Sequence, residues 1–220
     1  MKTLIAVPCM DTMPVGFVQS LIYLNKGENV SVLFKPNSLV YDSRNLISLT
    51  AIDNQFDRVM WFDSDMMFQP DTLQRLHNDM DNLECEMVTG LYVKRYTPVE
   101  PVLYETIEEP TRQPDGKLLK NITTYTDFPR KAVLPVAGCG FGCVLTSVKL
   151  LKEVWNTFGP AFNPYPWAGE DISFCHRVNL LGHQIWCDSN VSCGHIGNYV
   201  YTEDLLKRSD GNASDPTDQN

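Results

Sequence analysis

Two aspartates stand directly after an apolar segment in the stretch WFDSDMMF. Residues 58–62 (RVMWF) predict a buried strand, and Asp63 and Asp65 follow its end. In an extended chain, residues two apart point the same way, so the two carboxylates can converge. Open α/β sheets bind ligands at the carboxyl ends of their strands, and paired carboxylates there suit Mg²⁺ or Mn²⁺ with substrate phosphates. The alternative interpretation is a polar turn that merely ends a strand.

A second pair of acids, Glu170 and Asp171, opens a predicted helix in WAGEDISFCHRV. One of these carboxylates could act as a general base toward a hydroxyl group. The simpler interpretation is a helix cap, which requires Asp171 alone and no chemistry. Trp167, three residues before Glu170, could stack on a sugar face or fill a loop.

His195, in SCGHIGN, follows the last strand predicted in the second half of the chain. It could fold back and complete an oxygen-rich metal site, or it could be an ordinary structural histidine. His77, His176 and His183 have no comparable context and are interpreted as structural or surface residues.

A glycine-rich segment, GCGFGC, spans residues 138–143. Glycine permits close approach of the backbone to a ligand, which Gly138 and Gly140 could exploit. The spacing is not GxGxxG, and the segment lies far from the first strand, so it predicts neither a dinucleotide fingerprint nor a P-loop.

The elements that must position these residues alternate between strand and helix in the first half of the chain. Such alternation predicts an α/β fold with a mostly parallel sheet and helices on both faces. Residues 92–136 predict loops and antiparallel strands, with a possible flap. The predicted strands are 3–7, 30–34, 58–62, 86–90 and 184–188, and the predicted helices start near Pro14, Ser43, Pro70, Ser147 and Asp171, the last closed by Gly182.

Composition places the chain in the ordinary globular class. It has 220 residues, of which 43% are hydrophobic and 20% charged, and we expect a single domain over 1–206 with a polar, frayed tail over 207–220. The formal charge of −9 argues against nucleic acid and anionic membranes as partners. No run of 18 apolar residues predicts a membrane span. Seven cysteines, an odd number, predict reduced thiols and a cytoplasmic location.

Taken together, the order of these motifs resembles that of GT-A fold glycosyltransferases, especially compact family-2-like members of bacteria and their phages. The resemblance covers about residues 3–200 and implies a metal-dependent hexosyltransferase that uses a nucleotide-diphosphate sugar. It implies that Asp63, Asp65 and His195 hold Mn²⁺ or Mg²⁺ and that Asp171, or Glu170 beside it, is the base. It also implies nucleotide contacts by Pro8, Asp11, Arg44, Asn45 and Ser64, and sugar or acceptor contacts by Gly138, Gly140 and Trp167.

Several points stay open at this level. A carboxylate base fits inversion at the sugar, although retention is also compatible with the residues. The acceptor, which could be a glycan, a lipid or a protein, and the oligomeric state are not encoded in any motif. Because the chain continues only briefly after His195, we expect an open acceptor site or one completed by another chain. The rival classes are a nucleotidyltransferase and a non-catalytic nucleotide-sugar or glycan-binding module.

Overall fold

The protein is described here by a computed structural model that covers residues 1–36 and 38–206. The polar tail expected over 207–220 lies outside the described residues. The helices are α1 (Val15–Tyr23), α2 (Val40–Asp53), α3 (Thr72–Asn82), α4 (Val148–Phe158) and α5 (Glu170–Leu180), with a 3₁₀ turn at Glu203–Leu205.

Seven strands form the central sheet, whose spatial order is β2-β1-β3-β10-β5-β11-β8. Strands β1, β2, β3, β5 and β11 run parallel, whereas β10 and β8 run antiparallel to their neighbours. This confirms the predicted α/β fold with a mostly parallel sheet. The strand bounds are β1 (Thr3–Cys9), β2 (Val30–Pro36), β3 (Arg58–Phe62), β5 (Met87–Leu91), β8 (Val133–Val136), β10 (Cys143–Ser147) and β11 (Ile185–Ser192).

The centre of the sheet holds a strand from the second half of the chain. Strand β10 pairs with β3 on one side and β5 on the other, both antiparallel. Its pairing sets Cys143 opposite Phe62, so the glycine-rich segment before β10 lies beside the Asp-x-Asp turn after β3. Strand order therefore brings together two motifs that are about 80 residues apart in sequence.

Helices cover both faces of the sheet, as the apolar patterns predict. Along β3, Val59 and Trp61 point into one core while Met60 and Phe62 point into the other, which is the alternation expected of a strand buried on both faces. Helices α2, α4 and α5 pack on the first face, and α1 and α3 pack on the second. The predicted inward residues of α3, Leu73 and Leu76, are fully buried.

Two small three-stranded sheets complete the fold. One consists of β4 (Met66–Met67), β12 (Gly194–Ile196) and β13 (Val200–Tyr201), and the other of β6 (Leu103–Arg112), β7 (Leu118–Thr124) and β9 (Gly138–Cys139). Strands β6 and β7 form a long hairpin within residues 92–136, where the sequence predicted antiparallel strands and a possible flap. All seven cysteines are free thiols, and none of the described helices is long and apolar enough to cross a bilayer.

Element boundaries differ from the predicted ones where local signals compete. Helix α1 ends at Tyr23 rather than at Gly27, which instead adopts a positive φ of 72° in the following turn. Helix α2 begins at Val40, three residues before the predicted start. Gly182, with φ of 80°, follows α5 as expected.

Candidate active site

The predicted acidic motif lies where strand β3 ends, at the carboxyl edge of the parallel strands. Residues 63–66 form a turn in which the Met66 N–H donates to the Asp63 carbonyl at 3.2 Å. The extended geometry expected for Asp63 and Asp65 is therefore wrong, because a tight turn closes directly after the strand. As a result the two carboxylates have different partners, and Ser64 lies half-buried between them.

Asp65 faces His195, as the sequence suggested. The Asp65 carbonyl accepts from Ile196 N at 2.8 Å, which fixes β12 against the turn, and His195 Nε2 lies 3.6 Å from Asp65 Oδ2. His195 Nδ1 is 2.8 Å from the Val93 carbonyl. A carbonyl can only accept, so Nδ1 carries a proton, and Nε2 is the ring nitrogen that faces Asp65, as a donor in the imidazolium and as a lone-pair ligand in the neutral ring.

Asp65 itself is well suited to stay ionised. Burial alone would raise the pKa of its carboxyl, but hydrogen bonding and charge from His195, together with the charge of Arg95, outweigh burial and leave the pKa below its usual value. Its second oxygen, Oδ1, is buried without a hydrogen-bond partner. A buried carboxylate oxygen of this kind is costly unless something occupies it.

Asp63 belongs to a second network built on Arg44 of helix α2. Arg44 is buried, donates to Asp63 Oδ1 at 2.7 Å and also donates to Glu170 Oε1. Its guanidinium lies 5.2 Å from the Phe141 ring centroid. Burial alone would lower the pKa of Arg44, but the charges of Asp63 and Glu170 raise it, so the guanidinium stays protonated and clamps two acids.

Asp171, in the first turn of helix α5, is the half-buried acid of the site with the most perturbed pKa. The residue that caps helix α5 is Gly169, so the capping interpretation of Asp171 is wrong; its Oδ1 instead accepts from Ile172 N at 2.7 Å. Burial raises the pKa of Asp171 to about 6, and the neighbouring charge of Glu170 adds to this effect. A carboxylate with such a pKa is ionised at neutral pH yet binds a proton more strongly than ordinary aspartate does.

The Asp65–His195 pair fits a divalent cation. An ion about 2.1 Å from each of two ligand atoms holds those atoms about 3 to 4 Å apart, which matches the 3.6 Å between Oδ2 and Nε2. The orphaned Oδ1 of Asp65 supports the same assignment. Within the described residues no set of three or more His, Cys, Asp or Glu side chains could hold a metal.

The glycine-rich segment packs against protein side chains. A Cβ on Gly138 would lie 2.3 Å from Ile107 Cδ1, and one on Gly140 would lie 2.0 Å from the hydroxyl of Tyr92. Tyr92 is buried, and its hydroxyl accepts from Gly142 N at 3.2 Å. The space left by these glycines is thus filled from within the chain, rather than by the close ligand approach that the sequence suggested.

The other predicted site residues are placed less centrally. Pro8 is buried near the end of β1, and Asp11 is exposed in the bend that follows. Asn45 is buried and braces the 161–163 loop, accepting from Phe162 N at 2.8 Å and donating to the Asn163 side chain at 3.0 Å. Trp167 stacks on Tyr165, with centroids 5.3 Å apart and planes at 3°.

Two residues of the site were missed from the sequence. Tyr92 follows β5 directly, so the rule that drew attention to Asp63 applied to it as well. Its ring lies edge-on to His195, with centroids 5.4 Å apart. Arg95 stands three residues further on and binds Asp65 Oδ2 at 2.7 Å. The basic pair in YVKRY was the available signal, but a loop residue cannot be placed without the fold.

A mostly parallel sheet with an antiparallel strand at its centre and helices on both faces is the arrangement of the GT-A fold. The crystal structure of A197 from STIV superposes with a TM-score of 0.64 at 16% identity, covering 90% of this chain and 86% of that one. GalNAc-T7 with UDP, GalNAc and Mn²⁺ superposes with a TM-score of 0.58 at 9% identity, covering 90% of this chain and 44% of that one. No protein-family model and no curated protein matches the chain. At these identities the likeness establishes the fold.

Proposed function

We propose that the chain is a metal-dependent glycosyltransferase that moves a sugar from a nucleotide-diphosphate sugar to an acceptor hydroxyl. One observation carries the proposal: His195 Nε2 lies 3.6 Å from the Asp65 carboxylate, at the ligand-binding edge of a GT-A sheet, while Nδ1 faces a backbone carbonyl. The GalNAc-T7 neighbour contains UDP, GalNAc and Mn²⁺, and the proposal extends that type of ligand set to this chain.

Asp65 and His195 would hold Mn²⁺ or Mg²⁺, and the donor diphosphate would supply further ligands. A divalent cation in this position supplies Lewis-acid stabilisation of the charge on a departing diphosphate. Asp63 would face the ion or the ribose from the other side of the turn, and Arg44 fixes its orientation through the 2.7 Å ion pair. Arg44 also binds Glu170, so one buried guanidinium aligns the metal turn with the predicted base helix.

Asp171 is the residue we assign as general base. Its carboxylate would take the proton from the acceptor hydroxyl while the acceptor oxygen forms a bond to C1 of the sugar. The bond between C1 and the phosphate oxygen breaks, and its electron pair leaves with the nucleoside diphosphate. A single displacement of this kind inverts the anomeric centre. Glu170, held by Arg44, would contact acceptor hydroxyls rather than remove the proton.

The remaining predicted contacts are kept as part of the proposal. Trp167, stacked on Tyr165, offers an aromatic surface on which an acceptor sugar could pack. Gly138 and Gly140 would shape the sugar pocket indirectly, because their lack of a side chain leaves room for Ile107 and Tyr92. The acceptor class (glycan, lipid or protein) and the cytoplasmic location stay predictions. The expected nucleotide contacts are Pro8, Asp11, Arg44, Asn45 and Ser64.

The test is release of nucleoside diphosphate from a panel of UDP-, GDP- and dTDP-sugars, with Mn²⁺ and with EDTA. We expect metal-dependent release from at least one donor. Asp171→Asn should lower turnover by about 10²-fold with donor affinity nearly unchanged, as loss of a general base does. Asp53→Asn is the matched control, because Asp53 is an exposed aspartate at the far end of α2.

Two results would contradict the proposal. Saturable donor binding with no turnover, in the presence of glycan and lipid acceptors, would favour a non-catalytic binding module. Wild-type turnover in Asp171→Asn would leave the fold assignment intact but would move the base elsewhere.

A further inference from the structure

Arg95 holds the position beside Asp65 where a cation is expected. It lies in the loop after β5, and its guanidinium is 2.7 Å from Asp65 Oδ2 and 3.3 Å from the Ile196 carbonyl. The same Oδ2 is the carboxylate oxygen nearest His195 Nε2. A divalent ion shared by Asp65 and His195 would therefore compete with Arg95 for one oxygen.

The two arginines of the site differ in how firmly they are held. The Arg44 side chain is 3% exposed, is bound by two carboxylates and lies against Phe141. The Arg95 side chain is 48% exposed. An ion pair whose arginine is open to water gains less free energy than a buried one, because water and salt screen it. Arg95 can thus leave Asp65 at a smaller cost than Arg44 can leave its two partners.

The charges at the site indicate what Arg95 would bind once a divalent ion displaces it from Asp65. Four carboxyl groups, those of Asp63, Asp65, Glu170 and Asp171, face the two guanidinium groups of Arg44 and Arg95. A divalent cation placed beside Arg95 would meet like charge, which favours displacement of the arginine. A nucleoside diphosphate, in turn, carries more negative charge than one divalent ion neutralises, and a guanidinium is well shaped to bind phosphate oxygens.

We propose that Arg95 occupies the cation position on Asp65 in the free protein, and that a divalent ion displaces it so that it binds the donor diphosphate. The inference rests on the proposed function and adds a diphosphate-binding residue that the sequence analysis did not identify. It makes an unusual prediction: one substitution should strengthen metal binding and weaken nucleotide binding.

The experiment measures Mn²⁺ binding alone, and then UDP and GDP binding at saturating Mn²⁺, by titration calorimetry. For Arg95→Ala we expect Mn²⁺ affinity to rise about 3-fold, since a weak competitor is lost. UDP or GDP affinity should fall about 10-fold or more, since a charge-assisted contact is lost. Arg95→Lys should restore the competition with Mn²⁺ but recover only part of the nucleotide affinity.

Arg130→Ala serves as the control, because Arg130 is a comparably exposed arginine that pairs with Glu203. It should leave both affinities unchanged. Unaltered affinities in Arg95→Ala, or weaker Mn²⁺ binding, would overturn the inference, since Arg95 would then be a bystander or a support for Asp65. If the opposite-sign signature is found but no donor is turned over, the inference stands and the proposed activity fails. Absence of Mn²⁺ binding in both the wild type and Arg95→Ala would overturn the inference together with the metal site.

Discussion

The carboxyl of Asp171 is buried beside a second acid, and its raised pKa of about 6 has a consequence for stability as well as for catalysis. The folded-state pKa lies above 3.8, the ordinary value of an aspartate, so the folded protein binds this proton more tightly than the unfolded chain does. The stability that protonated Asp171 contributes is complete below about pH 4 and is lost as the pH rises through about 6.

Asp171→Asn should therefore be more stable than the wild type at pH 7 and nearly equal to it at pH 4. The expected difference at pH 7 is about 3 kcal/mol, because the pKa rises from 3.8 to about 6 and each pKa unit corresponds to about 1.4 kcal/mol. Urea unfolding of both proteins between pH 4 and 8 measures it, with Asp53→Asn as the exposed control. Parallel stability curves would show that the carboxyl is not perturbed by its surroundings.

The same group should set the acid limb of the activity profile. A base with a pKa of about 6 is protonated, and so inactive, below that pH. Turnover should then fall about tenfold for each pH unit below about 6 and reach a plateau near pH 7. Steady-state rates at saturating donor and metal test this. A rate that is flat from pH 5 to 8 would exclude Asp171 as the base.

Removing the charge of Asp63 and removing that of Asp65 should have different effects on metal affinity and on stability. Asp65→Asn should lower Mn²⁺ affinity at least 10-fold with little effect on folding, since its partners are His195 and the exposed Arg95. Asp63→Asn should affect Mn²⁺ less but destabilise the protein by about 1 to 3 kcal/mol, because buried Arg44 loses a charged partner. Calorimetry and urea unfolding of the two variants separate these effects. Equal losses of metal affinity would favour a shared two-aspartate site.

The sequence predicted which residues lie at the site better than it predicted which partners they bind. Asp65 and His195 each follow a predicted strand, which suggested that they could lie close together, and in the structure their side chains do. The sequence did not predict that Asp63 and Asp65 would bind different partners. It suggested an extended chain at these residues, whereas the structure has a turn that points the two side chains in different directions. Arg95 and Tyr92 reach the site through tertiary contacts, which no local pattern encodes.

Strand β10 governs the arrangement of elements around the site. All five of its residues are buried, so its sequence, CVLTS, has the same apolar character as the parallel strands beside it. An apolar sequence of this kind indicates that a strand lies in the interior of a sheet, but it carries no information on the direction of the strand. The series of parallel strands was thus predictable, whereas insertion of an antiparallel strand between β3 and β5 was not.

The contact between the glycine-rich segment and Tyr92 can be tested by a double-mutant cycle. Gly140→Ala would place a Cβ 2.0 Å from the Tyr92 hydroxyl, and we expect a loss of about 1 to 3 kcal/mol from overpacking. Removing the hydroxyl with Tyr92→Phe should relieve part of this loss, since the next ring atom, Cζ, is 3.1 Å away. Urea unfolding of the two single variants and the double variant gives the coupling energy. Additive losses would mean that the two residues do not constrain each other.

For the whole molecule, net charge and ligand binding are linked. A chain with a formal charge of −9 repels a free nucleotide in general, so its affinity for one should depend on bound cations. We expect UDP or GDP to raise the melting temperature in the presence of Mn²⁺ and to have little effect with EDTA. At a ligand concentration about 100 times the dissociation constant, the gain is about 2.7 kcal/mol, or about 5 to 10 °C for a chain of this size. Equal shifts with Mn²⁺ and EDTA would argue for a metal-independent site.

The position of β10 also affects the order in which the strands of the sheet can pair during folding. Strands β1, β2 and β3 can pair as soon as they are synthesised, but β5 reaches that unit through β10, which comes about 85 residues after β3. Contacts this distant in sequence form slowly, because a long loop must close before they are gained. The Asp63 N–H to Gly142 carbonyl contact at 3.2 Å lies just beyond this pairing. We therefore expect the Asp-x-Asp turn to be completed late in folding, and substitutions in β10 to slow that step and lower the refolding rate measured by stopped-flow fluorescence.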